Sequence, residues 1–73
     1  MKIYLIVHWV TRQIAVETDM KRAMIAVELE GYTAKEDERK LGRTPDVEVI
    51  EHDLDSGRRR VILKRWAPLY VDY

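Results

Sequence analysis

Residues 2–10, KIYLIVHWV, are β-branched or aromatic almost throughout, with Lys2 and His8 the polar exceptions, a pattern that predicts a well-buried strand. After Thr11-Arg12, a turn signal, Gln13–Thr18 alternates with period two and reads as a second strand. A tight turn at Thr11-Arg12 sets Trp9 opposite Ile14, Val7 opposite Val16 and Leu5 opposite Thr18. Ile3, Leu5, Val7 and Trp9 then share one face with Ile14 and Val16, while Tyr4, Ile6, His8 and Val10 lie on the other and ask for a lighter cover. A helix starting near Thr11 is the competing reading, and its Thr, Ile and Val residues are poor helix formers.

The period changes at Met20. Met20–Glu30 contains no Gly or Pro; Thr18 or Asp19 is available as an N-cap and Gly31 as a terminator, which predicts a helix. Met20, Ala23, Met24 and Val27 form the natural core stripe. Ile25 and Leu29 fall nearly opposite, so this helix has a second apolar stripe, to be covered by the chain's own tail, Ala67–Tyr73, or by a partner. Residues 32–45 are the most polar part. Thr33 and Glu36 have capping-box spacing, so Ala34–Leu41 is either a short helix ended by Gly42 or a mobile connection, and Thr44-Pro45 enforces an extended exit.

Two further strand-like runs occupy 46–66, DVEVIEHDLDSGRRRVILKRW, joined by Asp55-Ser56-Gly57. A three-residue loop with Gly57 in the left-handed region and Asp55 bonding the turn backbone sets Asp53 opposite Arg59, His52 opposite Arg60, Ile50 opposite Ile62, Val49 opposite Leu63 and Glu48 opposite Lys64. The order strand, strand, helix, connector, strand, strand predicts one α+β domain over 1–73, with an antiparallel or mixed four-stranded sheet and one main helix across it. If 11–18 is not a strand, the order becomes βαββ.

Size and composition narrow the function. A chain of 73 residues buries only about 60% of its unfolded surface and sits near the lower limit of autonomous folding, which leaves room for a partner or a dimer interface to add stability; monomer and homodimer both stay open. Thirteen basic and thirteen acidic residues cancel, which argues against a dedicated nucleic-acid binder or a DNA mimic. The chain has no cysteine, so disulfides and thiolate chemistry are excluded and a reducing, cytoplasmic compartment fits. No apolar run approaches the roughly 20 residues of a membrane span, and the opening residues lack a signal peptide's order.

Candidate chemistry is sparse. There is no HExxH, glycine-rich phosphate loop or GxSxG, and neither histidine has a partner at metal-ligand spacing. His52 lies between Glu51 and Asp53, which in a strand point to the opposite face, so it reads as a surface histidine beside Arg60. His8 reads as a partly buried strand histidine. Glu36-Asp37-Glu38 lacks the twelve-residue calcium-loop pattern and reads as a solvated face. The expectation is a non-enzymatic domain with no cofactor and no metal.

Charge is nonetheless uneven. Residues 31–56 carry four basic and eight acidic groups, and residues 57–73 carry five basic and one acidic. Strand alternation puts Arg58, Arg60 and Lys64 on one face with Ile62 and Trp66, with Arg59 and Arg65 on the other. Three readings compete: internal pairing with Glu48, Asp53 and their neighbours in a domain with no ligand-binding chemistry; recognition of an acidic protein surface by arginine forks, with Trp66 as anchor; and phosphate-backbone contact with Trp9, Trp66 or Tyr70 stacking on bases. The acidic strand beside the arginines repels phosphates, which favours a protein partner over nucleic acid. The candidate contact residues are Arg58, Arg60, Lys64 and Trp66, with Ile25 and Leu29 as a secondary apolar surface.

Over residues 2–31, KIYLIVHWVTRQIAVETDMKRAMIAVELEG, the order strand, short turn, strand ending in Glu-Thr-Asp, and alanine-containing helix resembles small phage-encoded ββα-type proteins such as the bacterial RNA polymerase inhibitor of T7-like phages. The basic strand 58–66 is a looser echo. Thr33–Pro45 and the final hairpin depart from that pattern, so no contact residue carries over. The resemblance implies a phage-type regulator acting stoichiometrically on a host enzyme, with transcription as the first target.

Overall fold

The computed structural model of the chain describes residues 1–36 and 42–68. Strand β1 (Lys2–His8) pairs antiparallel with β2 (Gln13–Glu17) on one side and with β3 (Val47–Asp53) on the other. Strand β4 (Arg59–Arg65) pairs antiparallel with β3, completing one sheet in the order β2-β1-β3-β4. Because β2 and β3 are both antiparallel to β1, they run parallel to each other with β1 between them. Such a connection needs a crossover, and helix α1 (Met20–Leu29) supplies it. The α+β order ββαββ expected from the sequence is the observed one; 13–17 is a strand, not part of a helix.

Helix α1 begins where its capping chemistry is. Asp19 has extended backbone angles and its carboxylate accepts from the Lys21 N–H at 2.9 Å, which satisfies one of the orphan donors of the first turn. At the other end Gly31, with φ 81°, takes the left-handed conformation that ends the helix. Ala23 and Val27 are fully buried, Met24 is half-buried, and Met20, expected in the core stripe, is largely exposed. The helix packs chiefly on β1, with β2 and β3 beside it.

Its core partners are Tyr4, Ile6, Val47 and Val49, joined by the partly buried Ala26, Tyr32, Ile62 and Leu63. The sequence pattern made the Ile3, Leu5, Val7, Trp9, Ile14 and Val16 face the main one and left the Tyr4, Ile6, His8 and Val10 face a lighter cover; the structure reverses this. The helix covers the Tyr4 and Ile6 face; on the other face Val7 is buried, and Ile14 and Val16 are exposed among the described residues. The crossover from β2 to β3 carries α1 onto that first face, and Ala23 lets the helix lie close to the sheet there.

Both hairpins close differently from the expected turns. In β1–β2, Val7 faces Ile14 and Leu5 faces Val16, two residues from the expected register. The loop is Trp9–Arg12, with Arg12 at φ 60°. A shift of two preserves the faces, so the expected grouping of side chains survives. In β3–β4 the loop has four residues, Leu54–Gly57, closed by Asp53 N–H to Arg58 O at 2.9 Å and Gly57 N–H to Asp53 O at 2.8 Å. The turn-bonding carboxylate is that of Asp53, which accepts from the Asp55 N–H at 3.0 Å; Gly57 holds the left-handed position as expected, at φ 73°. Glu48 faces Lys64 and Val49 faces Leu63 as the sequence implied, but Ile50 faces Val61, Glu51 faces Arg60 and His52 faces Arg59. A β-bulge at Ile62 absorbs the one-residue difference.

The polar connector is tied down at both described ends. Thr33 and Trp66 exchange two backbone hydrogen bonds of 2.8 Å. The Trp66 indole donates to Arg43 O at 3.0 Å, and the Asp46 carboxylate accepts from Ala67 N–H while pairing with Arg43 at 3.3 Å. Thr33 Oγ1 accepts from the Lys35 N–H, a local turn. Of the proposed helix 34–41, residues 37–41 lie outside the described residues, as does most of the tail proposed to cover Ile25 and Leu29.

Candidate functional site

The bulge decides where the basic residues go. Arg60 stands opposite Glu51, which stands opposite Tyr4, so Arg60 is on the helix-side face; Lys64 stands opposite Glu48 and Val7, on the open face. Arg58, Arg60 and Lys64 therefore do not share the face that simple alternation assigned to them. Trp66 is half-buried, with its indole committed to Arg43 O. The four residues expected to form one contact surface are divided among two faces and the clamp on the connector.

What does come together is a cleft of about 280 Å³ beside the β3–β4 turn, lined by Lys2, Glu51, Asp53, Arg58, Arg59 and Arg60. Four cations there face two carboxylates. Glu51 is buried and takes Arg60 Nε at 3.1 Å and Lys2 Nζ at 3.5 Å. Burial pushes the Glu51 carboxyl up, but the Arg60 hydrogen bond and the charges of Arg60 and Lys2 outweigh it and hold the group below the ordinary glutamate range. Asp53 is held low by its bond from the Asp55 backbone, against a smaller effect of burial, with Ser56 adding to the same side. The Met1 amine pairs with Asp55 at the rim. Both cleft carboxylates are thus ionised and committed, and no carboxylate of the described residues pairs with Arg58, Arg59 or Lys64. Arg59 donates its Nε to His52 Nδ1 at 2.8 Å, which places His52 beside Arg59, not Arg60.

Internal pairing is weaker than the sequence suggested, for a geometric reason. The Glu48 carboxylate expected for Lys64 accepts instead from the Trp9 indole at 2.7 Å. The Asp53 carboxylate expected for Arg59 is folded into the turn. These commitments leave the guanidinium ends of Arg58 and Arg59 to solvent, in an open cleft with an excess of positive charge.

His8 is an anchor. Its Nε2 lies 2.6 Å from Glu30 Oε2, and its ring sits 6.3 Å from that of Tyr32, which joins the end of α1 to β1. Burial, helped by the charges of Glu30 and Asp46, pushes the Tyr32 hydroxyl up. Among the described residues no three His, Asp or Glu side chains converge as metal ligands would, and no helix is long and apolar enough to cross a membrane. Ile25 and Leu29 are 53% and 83% exposed.

The sequence reading passed over Lys2, which reaches the cleft from β1. Only the β1–β3 pairing brings it there, setting Lys2 opposite Asp53. Comparison with protein-family models, with curated proteins and with solved structures finds no match for the chain.

Proposed function

We propose that the chain is a non-catalytic protein-binding module that docks on an acidic surface of another protein through the cleft of Lys2, Arg58, Arg59 and Arg60. The observation that carries this reading is the state of Arg58 and Arg59, two guanidinium groups at the lip of a cleft whose carboxylates are already used. Guanidinium forks suit carboxylates in bidentate geometry. Glu51 and Asp53 in the same cleft repel a continuous phosphate backbone, while discrete carboxylates among neutral donors can approach the arginines from the lip. This favours a protein partner over nucleic acid.

The likeness of residues 2–31 to small phage-encoded ββα-type proteins supports a phage-type regulator working in the host cytoplasm, with bacterial RNA polymerase as the first target. The test is capture from a bacterial lysate with and without nuclease treatment, with purified bacterial RNA polymerase as a defined arm. Arg58→Glu/Arg59→Glu is the control, because Arg60 supports the buried Glu51 and its reversal would disturb the fold. We expect the wild type to retain a protein partner and the variant to lose at least about tenfold of that retention, a loss of one or two charge-assisted contacts. Equal retention by both overturns the reading; retention abolished by nuclease treatment assigns the arginines to nucleic acid.

A further inference from the structure

Strand β4 is an edge of the sheet, and the hydrogen bonds at its two ends say which backbone groups face outward. Asp53 N–H donates to Arg58 O at 2.9 Å and Asp46 N–H to Arg65 O at 3.0 Å, so both carbonyls point to β3. Alternation from Arg58 then turns the N–H and C=O of Arg59 and Val61 away from β3. At the far end Trp66 gives both of its backbone groups to Thr33 at 2.8 Å, on the outer side, and Lys64 two residues earlier faces the same way. Lys64 O takes the Arg65 guanidinium at 2.9 Å. Among the described residues Thr33 alone pairs its backbone with this edge, and the chain makes a local turn directly after it.

We propose that the outer edge of β4 takes an extended acidic segment of another protein as a fifth strand, antiparallel to β4. This rests on the reading of Arg58 and Arg59 as the contact for a protein partner and adds how that partner is held. The backbone is the first argument. The edge presents donors and acceptors side by side; a peptide strand answers both, whereas a phosphate backbone offers acceptors only. The antiparallel bridge of Thr33 with Trp66 is one such pair, made by the chain itself.

Charge selects the occupant. Residues 58–65, RRRVILKR, carry five cations and no acid, and no carboxylate of the described residues pairs with Arg58, Arg59 or Lys64. Cations and a bulge keep neutral strands off an edge, and the same cations admit a strand of opposite charge. A second copy of β4 would set cations against cations, which destabilises a ladder. The other edge, β2, holds Glu17 and no cation, so an acidic strand is drawn to β4.

Register defines the segment. Arg59, Val61 and Lys64 stand opposite His52, Ile50 and Glu48, three alternate residues of β3, because the bulge at Ile62 takes up the extra residue. A strand on the outer side meets the same spacing. It therefore reads carboxylate, apolar, carboxylate at every second position, with its carboxylates toward Lys64 and Arg59 and its apolar side chain beside Val61, which is 44% exposed.

The test uses a blocked heptapeptide with Thr at its odd positions and Glu, Val and Glu at its even ones, followed by amide nuclear magnetic resonance of the protein at low ionic strength. The parent peptide should shift the Arg59, Val61 and Lys64 amides saturably and slow their hydrogen exchange. N-methylation at the peptide's Val removes a bond to Val61 and should weaken binding at least about tenfold. N-methylation at the Thr after it points outward and should leave binding within about threefold of the parent. All three peptides carry the same charge. Val61→Pro removes an N–H that faces away from β3, so it should keep the far-ultraviolet dichroism and weaken the parent peptide about tenfold. The peptide arms need no variant, so a proline that unfolds the domain leaves the test intact. No saturable binding up to about 1 mM, amides of Arg59, Val61 and Lys64 already slow to exchange in the free protein, or N-methylation without preference for the Val position would each overturn the proposal. If all three peptides bind equally and still shift the Arg58 and Arg59 side chains, the edge strand falls and docking through the arginines stands.

Discussion

The Trp9 indole donates to the Glu48 carboxylate at 2.7 Å, so the acid that stands opposite Lys64 in the sheet is occupied by a residue from another strand end. The bond fixes an exposed tryptophan at the margin of the open face and leaves Lys64 uncompensated. Glu48→Ala should therefore cost about 1 kcal/mol, a charge-assisted bond discounted for its exposure. Lys64→Ala should fall within about 0.5 kcal/mol of wild type, as exposed sites without a partner do. Urea unfolding of the two variants checks the contrast; equal losses would mean that Glu48 serves Lys64 after all.

The two hairpin loops end alike, on a residue in the left-handed region: Arg12 at φ 60° and Gly57 at φ 73°. Only one of them is glycine. An L-residue pays about 1 kcal/mol or more for that conformation, so Arg12→Gly should stabilise the domain by about 0.5–1 kcal/mol and raise its melting temperature by about 2–8 °C. Gly57→Ala should do the reverse. A Cβ at Gly57 would meet nothing within 4 Å, so the loss there is conformational, not steric.

Acid should act through the cleft. Both Glu51 and Asp53 have carboxyls lowered in the folded state. A lowered folded value means that their stabilisation is complete above the ordinary carboxylate values of about 3.9–4.3 and is lost as pH falls through the folded values. Melting temperature should hold steady from neutral pH to about 5 and fall below about 4. Glu51→Gln should be less stable at neutral pH and show a shallower fall on acidification. A variant with the wild-type acid slope would remove Glu51 as a contributor.

The core makes a simpler demand. Val27 is fully buried between the helix and the sheet, and Val27→Ala removes two methyl groups from a site that Ala23 already holds close to the strands. We expect a loss of about 1.5–3 kcal/mol. In a domain of this size that is a drop of roughly 10 °C or more in the thermal midpoint.

How far the sequence foretold this molecule depends on the range of the interaction. The four strands, the helix and its Gly31 stop were legible because alternation, helical spacing and caps are local. The registers were not. A loop of four residues in place of two or three is settled by which residue takes the left-handed position and which carboxylate folds into the turn. The bulge at Ile62 then returns β4 to a register in which Val49 and Leu63 still meet. No local signal marks Ile62, and its effect is to part Arg60 from Lys64. The sequence pattern also assigned the lighter cover to the wrong face of β1, since both faces are apolar and the choice rests on the crossover from β2 to β3. Lys2 escaped notice because its neighbours in the cleft are about fifty residues away in the chain.

The most direct test of the account is a nuclear magnetic resonance titration that watches the arginine side-chain Nε–Hε signals as a Glu/Asp-rich peptide, and separately a single-stranded oligonucleotide of equal charge, is added at the same ionic strength. The peptide should shift the Arg58 and Arg59 signals in a saturable way, with Arg60 and Arg43 moving little because Glu51 and Asp46 already hold them. Saturable shifts with the oligonucleotide and none with the peptide would contradict it.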